Sequence, residues 1–243
     1  MKAARAAPLV LAALIAGVSW QAALSQTAAV KRNAEGFPAP DRPVADIVSP
    51  IWADEAERDR RLETEQVFGL LDIKAGMTVA DIGAGSGYYV VRLSPVVGPK
   101  GNVLAEDIMP DYLRDLQKRV TDLKLTNVTV VQGTTADPKL PAASVDVAFL
   151  IHMYHEIEQP YGLAYNLAKS MKPGGKVAIE DRDARPPNHG TPPDLLKCEM
   201  EAVGYRQTGF KTLDGDLGYL AIFTAPAANR LPRPADIVPC KMK

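Results

Sequence analysis

From Thr78 onward the chain alternates short, apolar, β-branched runs with segments of helix length, and this alternation constrains the fold more than any other feature. Thr78–Ile82, Asn102–Asp107, Val128–Gln132, Val145–Ile151 and Lys176–Asp181 read as strands. Tyr89–Val97, Tyr112–Leu123 and Leu163–Met171 read as helices; in the second, Tyr112, Leu113, Leu116, Val120 and Leu123 recur at helical spacing on an otherwise polar segment. Such alternation means a parallel sheet covered by helices on both faces. Arg206–Leu213 and Tyr219–Thr224 are separated only by Asp214–Gly218, too short for a crossover helix, so the last two strands pair antiparallel. The expected architecture is a doubly wound α/β sandwich with a closing hairpin. A charged helical stretch, Ala53–Leu71, precedes it and is expected to lie over the edge of the domain.

The turn after the first strand carries most of the chemistry. Thr78-Val79-Ala80-Asp81-Ile82-Gly83-Ala84-Gly85-Ser86-Gly87 ends a strand on an acid and follows it with three glycines. Glycine suits a tight reversal in which a ligand lies against bare backbone. The next helix begins near Tyr88, so its free N–H groups point into the crevice. A dinucleotide fingerprint would require glycine at position 88, which is Tyr. Asp81 would repel a pyrophosphate but suits a ligand with a cationic amino group and no phosphate, which favours S-adenosylmethionine over NAD. Asp107, at the end of the second strand, is placed to accept ribose hydroxyls, with Glu106 as its substitute if the strand ends one residue earlier. Gln132-Gly133-Thr134-Thr135 follows the third strand and suits the flank of an adenine. Three such signals, each after a successive strand, point to a nucleoside-bearing ligand.

These stretches resemble the class I S-adenosylmethionine-dependent methyltransferases. The resemblance runs over residues 75–181, through VADIGAGSGYY at 79–89, GNVLAEDI at 101–108, SVDVAFLIHMYHEI at 144–157 and MKPGGKVAIED at 171–181. Within that superfamily the chain looks closest to exported bacterial proteins described as methyltransferases, on SPIWADEAERDR at 49–60 and HGTPPDLL at 189–196. The resemblance implies a Rossmann-like, seven-stranded, mostly parallel sheet whose last strand is antiparallel. It also implies that Asp81, Gly83, Gly85 and Gly87 surround the methionine part of the cofactor, with Tyr88 beside them, and that Asp107 holds the ribose. One departure is Thr134, which stands where the superfamily often has Asp, so any hydroxyl contact to the adenine there is weaker.

Methyl transfer asks mainly for alignment of nucleophile, methyl carbon and sulfur, plus a base if the acceptor must lose a proton. The loop after the fourth strand, Ile151-His152-Met153-Tyr154-His155-Glu156, supplies the candidates at the ligand-binding edge of the sheet. His155 is the expected catalytic base, Tyr154 a substrate-shaping neighbour, and His152 a residue nearer the cofactor; the alternative is that all three serve packing or the start of a helix. A metal reading draws on His152, His155, Glu156, Asp181, Asp183 and His189, the last in a Pro-rich loop (Pro186, Pro187, Pro192, Pro193) expected to lid the crevice. No zinc-type spacing motif is complete, so no metal is expected.

Composition narrows the partners. Among 243 residues, 28 Lys and Arg stand against 29 Asp and Glu, a formal charge of −1, which lacks the basic footprint of a nucleic-acid binder. The expected acceptor is therefore a small molecule. Lys2 and Arg5 ahead of the apolar run Ala6–Val18, then Ala23-Leu24-Ser25, form a secretory signal over residues 1–25, which places the mature chain in the periplasm or outside the cell. No apolar run reaches the roughly 18 residues of a membrane-crossing helix. Residues 26–50 read as an Ala/Pro-rich linker, 51–228 as the domain and 229–243 as a tail. Cys198 and Cys240 form a disulfide only if the fold brings them together. Two functions compete: methyl transfer from S-adenosylmethionine to a small acceptor, or an exported binding or scaffolding domain that keeps the fold without turnover.

Overall fold

The computed structural model describes residues 30–47 and 55–242, so the expected signal at 1–25 lies outside the described residues. Seven strands form one sheet: β1 (Thr78–Ile82), β2 (Asn102–Asp107), β3 (Val128–Gln132), β4 (Val145–Ile151), β5 (Met171–Asp181), β6 (Arg206–Thr212) and β7 (Tyr219–Thr224). Their order is β3-β2-β1-β4-β5-β7-β6. The first five run parallel, and β7 is antiparallel to both β5 and β6. Among the described residues six α-helices accompany them: α1 (Glu55–Arg60), α2 (Glu63–Gly69), α3 (Tyr88–Val97), α4 (Pro110–Asp122), α5 (Pro160–Ser170) and α6 (Pro193–Ala202). The expected Rossmann-like sandwich with an antiparallel last strand is what the chain adopts.

Alternation of side chains along each strand divides the core into two layers. Val79, Val103, Ala105, Val147 and Phe149 pack under α3 and α4 through Val90, Leu93, Leu116 and Val120. Ala80, Ile82, Leu104, Ala148, Leu150 and Ile179 face the other way, onto Leu163, Leu167, Leu196 and Met200 of α5 and α6. Burial on both faces is why the central strands read as continuous apolar runs. Strand order reverses between β1 and β4, which opens a crevice beyond the carboxyl ends of β1, β2 and β4.

Three local expectations are adjusted. Of the stretch 53–71, the described residues 55–71 hold two helices rather than one, because exposed Leu62 adopts the left-handed conformation (φ 55°). The break turns Glu63, Thr64 and Val67 of α2 inward. The Pro-rich segment after His189 does not remain a loop: Pro193 takes the first position of α6, whose Leu195, Leu196 and Met200 are buried. The described part of the linker, residues 30–47, packs onto the domain. Phe37 meets Tyr165 edge-on at 5.1 Å, and buried Arg42 pairs with Glu199 at 3.0 Å. The Arg32 guanidinium donates to the carbonyls of Gly36, Pro234 and Ile237 at 2.8, 2.9 and 3.0 Å, joining this segment to the tail.

Cys198 of α6 and Cys240 of the tail are bridged, with Cα atoms 6.0 Å apart. The bond closes 42 residues of chain, for which loop-closure entropy gives about 4 kcal/mol of stabilisation. Cys198→Ser is therefore expected to lower the unfolding free energy by up to about 4 kcal/mol in urea denaturation. Added reductant should destabilise the wild type by the same amount and leave the variant unchanged.

Candidate cofactor cleft

The crevice is built from the turn after β1, the ends of β2 and β3, and the loop after β4. Its sharp floor depends on glycines with positive φ: 68° at Gly83, 50° at Gly85 and 84° at Gly87. A Cβ on Gly83 would lie 2.9 Å from Met153 Cε across the cleft. Gly87 has a different task. It caps α3, does not line the cleft, and a Cβ there would lie 2.5 Å from Leu116 Cδ1 of α4. The third glycine thus serves helix packing on the turn.

Asp81, Glu106 and Asp107 converge on this floor. Asp107 accepts the amide of Gly85 on Oδ2 and that of Met109 on Oδ1, both at 2.9 Å, and so ties the glycine turn to the loop after β2. Glu106 points to the opposite side of its strand. Its Oε2 accepts the Gly83 amide at 3.4 Å, while Oε1 is buried without a hydrogen-bond partner. A Cβ on Gly133 would lie 1.9 Å from Oε1, so any other residue there would displace this carboxyl. Burial pushes Asp81 up to about 7, with Arg58 opposing and Asp107 adding to the rise. Burial and then Asp107 lift Glu106 to about 8. Burial also raises Asp107, against the pull of the Met109 and Gly85 amides. Arg58 is the cation among these lining groups that approaches from α1; its guanidinium lies 3.8 Å above the Tyr88 ring. Thr134 and Thr135 stand on the β3 side, where the Thr134 hydroxyl is shared with the turn to Asp137 (Asp137 N to Oγ1 3.1 Å).

The loop after β4 divides its residues between cleft and core. His152 lines the cleft in a left-handed conformation (φ 55°). Its Nε2 lies 3.3 Å from Glu180 Oε1 and 3.8 Å from Glu63 Oε2. Burial opposes the imidazolium, but Glu180 and Glu63 outweigh it and raise His152 to about 10. Burial likewise opposes ionisation of Glu63, and His152 with Arg58 overcomes it, taking the carboxyl down to about 2. Tyr89 completes the cluster by donating to Glu180 Oε2 at 3.1 Å.

Two expectations for this loop need correction. His155 is buried and absent from the cleft wall, with Nδ1 3.0 Å from Asp181 Oδ1. Tyr154 is also in the core, donating to Glu199 Oε2 at 3.0 Å. The 3-10 turn at Tyr154–Glu156 rotates these two rings inward and turns Glu156 toward the cleft. Of the remaining named residues, Asp81, Gly83, Gly85, Tyr88, Glu106, Asp107, Thr134, Thr135 and His152 share the cleft. Arg58, Glu63 and Glu180 carry no signal in the sequence, because a buried ion cluster joining α1, α2 and β5 has no spacing signature.

Residues 80–179 match the family model described as a methyltransferase domain. Among curated proteins, the chain is 26% identical over 110 residues to a protein-L-isoaspartate O-methyltransferase of Methanothrix thermoacetophila, covering 45% of this chain and 50% of that one. It is 25% identical over 160 residues to an arsenite methyltransferase of Halobacterium salinarum, covering 62% and 39%. The chain thus spans half or less of the length of these relatives. Among solved structures, an S-adenosylmethionine-dependent methyltransferase from Aquifex aeolicus is similar at a TM-score of 0.60 and 28% identity, over 71% of this chain and 98% of that one. The pyocyanin biosynthetic protein PhzM shares the fold at 15% identity and a TM-score of 0.58, over 70% and 56%. Over the stretch that carries the acid-lined glycine turn, the chain is thus similar to methyltransferase domains, and its fold is similar to that of an S-adenosylmethionine-dependent methyltransferase.

The His152 cluster has a pH signature. A histidine raised from 6.5 to about 10 stabilises the fold fully below pH 6.5 and loses that contribution as pH rises to about 10. Glu63, lowered from 4.5 to about 2, contributes above pH 4.5 and loses it as pH falls toward 2. The stability gap between wild type and His152→Gln in urea denaturation should therefore be widest between pH 4.5 and 6.5 and should shrink toward pH 10. A gap that stays flat from pH 6 to 10 would show that His152 is not held as a cation.

Proposed function

We propose that this protein transfers a methyl group from S-adenosylmethionine to a small-molecule acceptor. The observation that carries the reading is the set of three carboxyl groups on the cleft floor. Asp81, Glu106 and Asp107 surround a glycine turn narrow enough that a Cβ at Gly83 would collide with Met153. Three carboxyl groups suit a cofactor with a cationic amine and ribose hydroxyls and disfavour one carrying phosphates. The buried Glu106 Oε1 without a partner also fits, since a hydroxyl donor there would satisfy it.

When bound, S-adenosylmethionine supplies a methyl group on a positively charged sulfur. Around it, Gly83 and Gly85 would admit the methionine part and Asp81 would face its amino group. Glu106 and Asp107 would receive the ribose hydroxyls, and Thr134 and Thr135 would flank the adenine. On the acceptor side His152 is already protonated, so it cannot take a proton; it can orient an electron-rich acceptor. Glu156 and Glu158 are the carboxylates that the loop after β4 presents to the cleft, and His155 would act through Glu156. The relatives' names point to protein, arsenite and natural-product chemistry, so no acceptor carries over from them. The Cys198–Cys240 bridge, together with the basic and apolar residues near Met1, supports action outside the cytoplasm, where disulfides persist.

Calorimetry with S-adenosylhomocysteine tests the reading. Micromolar binding is expected. Because a cationic amine favours ionised Asp81, affinity should fall as pH drops below about 7, by up to about tenfold per unit. Asp81→Asn should weaken binding at pH 8 by about tenfold or more and flatten that pH dependence. No binding of either S-adenosylmethionine or S-adenosylhomocysteine by the oxidised chain would overturn the proposal. Binding without transfer of labelled methyl to any of a broad acceptor panel would favour the scaffolding alternative.

A further inference from the structure

Behind the cleft wall, two separated stretches bring three ligand atoms together. His155 and Glu156 lie in the turn after β4, and His189 lies in the loop between β5 and α6. One ring nitrogen or carboxylate oxygen from each falls within 4.8 Å of the other two. The rings of His155 and His189 meet edge-on, 5.4 Å apart.

His155 is the decisive member. It is 1% exposed. Its Nδ1 lies 3.0 and 3.1 Å from the two oxygens of buried Asp181, so that nitrogen carries the proton and donates it. The lone pair is then on Nε2, which is buried, makes no hydrogen bond and lies 3.8 Å from Glu156 Oε1. An imidazole fixed in one tautomer by a buried carboxylate, with its other nitrogen bare, is the arrangement of a metal-ligating histidine and its outer partner. A buried acceptor of this kind otherwise carries an unrelieved desolvation cost.

We propose that His155, Glu156 and His189 form a binding site for a divalent transition-metal ion of the zinc type, oriented by Asp181. Two imidazoles and one carboxylate are a known zinc donor set, whereas calcium and magnesium prefer oxygen ligands throughout. Zinc bonds of about 2.0–2.1 Å put tetrahedral ligands about 3.3 Å apart, so small side-chain shifts close the cluster. Glu156 also lines the cleft, which sets the ion at its wall. The fourth ligand would come from that side, as water or as an oxygen, nitrogen or sulfur of a small molecule. The second three-residue cluster, Glu63, His152 and Glu180, is less suited. There both carboxylates approach the same nitrogen, Nε2 of His152, which is thereby committed to ion pairs.

The site goes beyond the methyl-transfer reading and is tested without the cofactor, so either can fail alone. The full oxidised chain, freed of metal with a chelator, is incubated with zinc chloride, dialysed and analysed by elemental mass spectrometry. One zinc per chain is expected, and cobalt in its place should give the visible band of a tetrahedral ion. His155→Ala and His189→Ala should each abolish retention, Asp181→Asn should weaken it about 10–100-fold, and His152→Gln should leave it intact. His189→Ala, in a surface loop, covers the case in which His155→Ala fails to fold. A wild-type chain that retains no zinc, or retention that survives His189→Ala, would overturn the proposal. Loss of zinc in His152→Gln with retention in His189→Ala would do so as well.

Discussion

Asp107 is the side chain on which the cleft depends. Its two oxygens accept the amides of Gly85 and Met109, which belong to loops after different strands, and each keeps a further lone pair. One buried carboxylate therefore sets both the curvature of the glycine turn and its distance from the next loop. Charged acceptors bond backbone N–H groups more strongly than neutral ones, and burial removes competing water. The cost of that burial is visible in its raised pKa. The same interaction bears on ligand recognition, because an acid already engaged by backbone offers a fixed face to whatever enters.

Around this brace the molecule manages charge in two ways. On the floor, three acids stand close together and burial lifts them, so at neutral pH some protons remain and the arrangement is poised to accept a cation. Across the cleft the opposite solution holds: His152, Glu63, Glu180 and Arg58 neutralise one another by direct contact. The helix α1 takes part through Arg58 and through Asp59 and Glu55, which bind Arg92 of α3 and Arg119 of α4. Ion pairs thus hold the segment over the cleft edge, where a purely apolar contact would have fixed it less specifically in angle.

Much of the fold was legible because its cause is local. The boundaries of β1, β2, β4 and β7 coincide with their apolar runs because these strands are buried on both faces, and edge strand β3 is marked by its own β-branched run. The glycine turn was legible for a similar reason: positive φ and close approach admit few other residues. Where the reading went astray, the deciding contact was distant in sequence. The helix break at Leu62 turns Glu63 toward Arg58 and His152, and no pattern within 53–71 announces it. Prolines at 186–193 suggested a loop although the last of them opens α6. His155 carried the right residue type at the right loop, yet the tight turn at Tyr154–Glu156 points it at Asp181, a residue of β5.

The hook made by Arg32 has a consequence for how this sequence can drift. Its three acceptors are all main-chain oxygens, of Gly36, Pro234 and Ile237. An anchor that recognises the path of the tail and not its side chains imposes little on residue identity there. Descendants of this chain could exchange the exposed tail residues widely while keeping Arg32, the course of the backbone and the cysteine that fastens it.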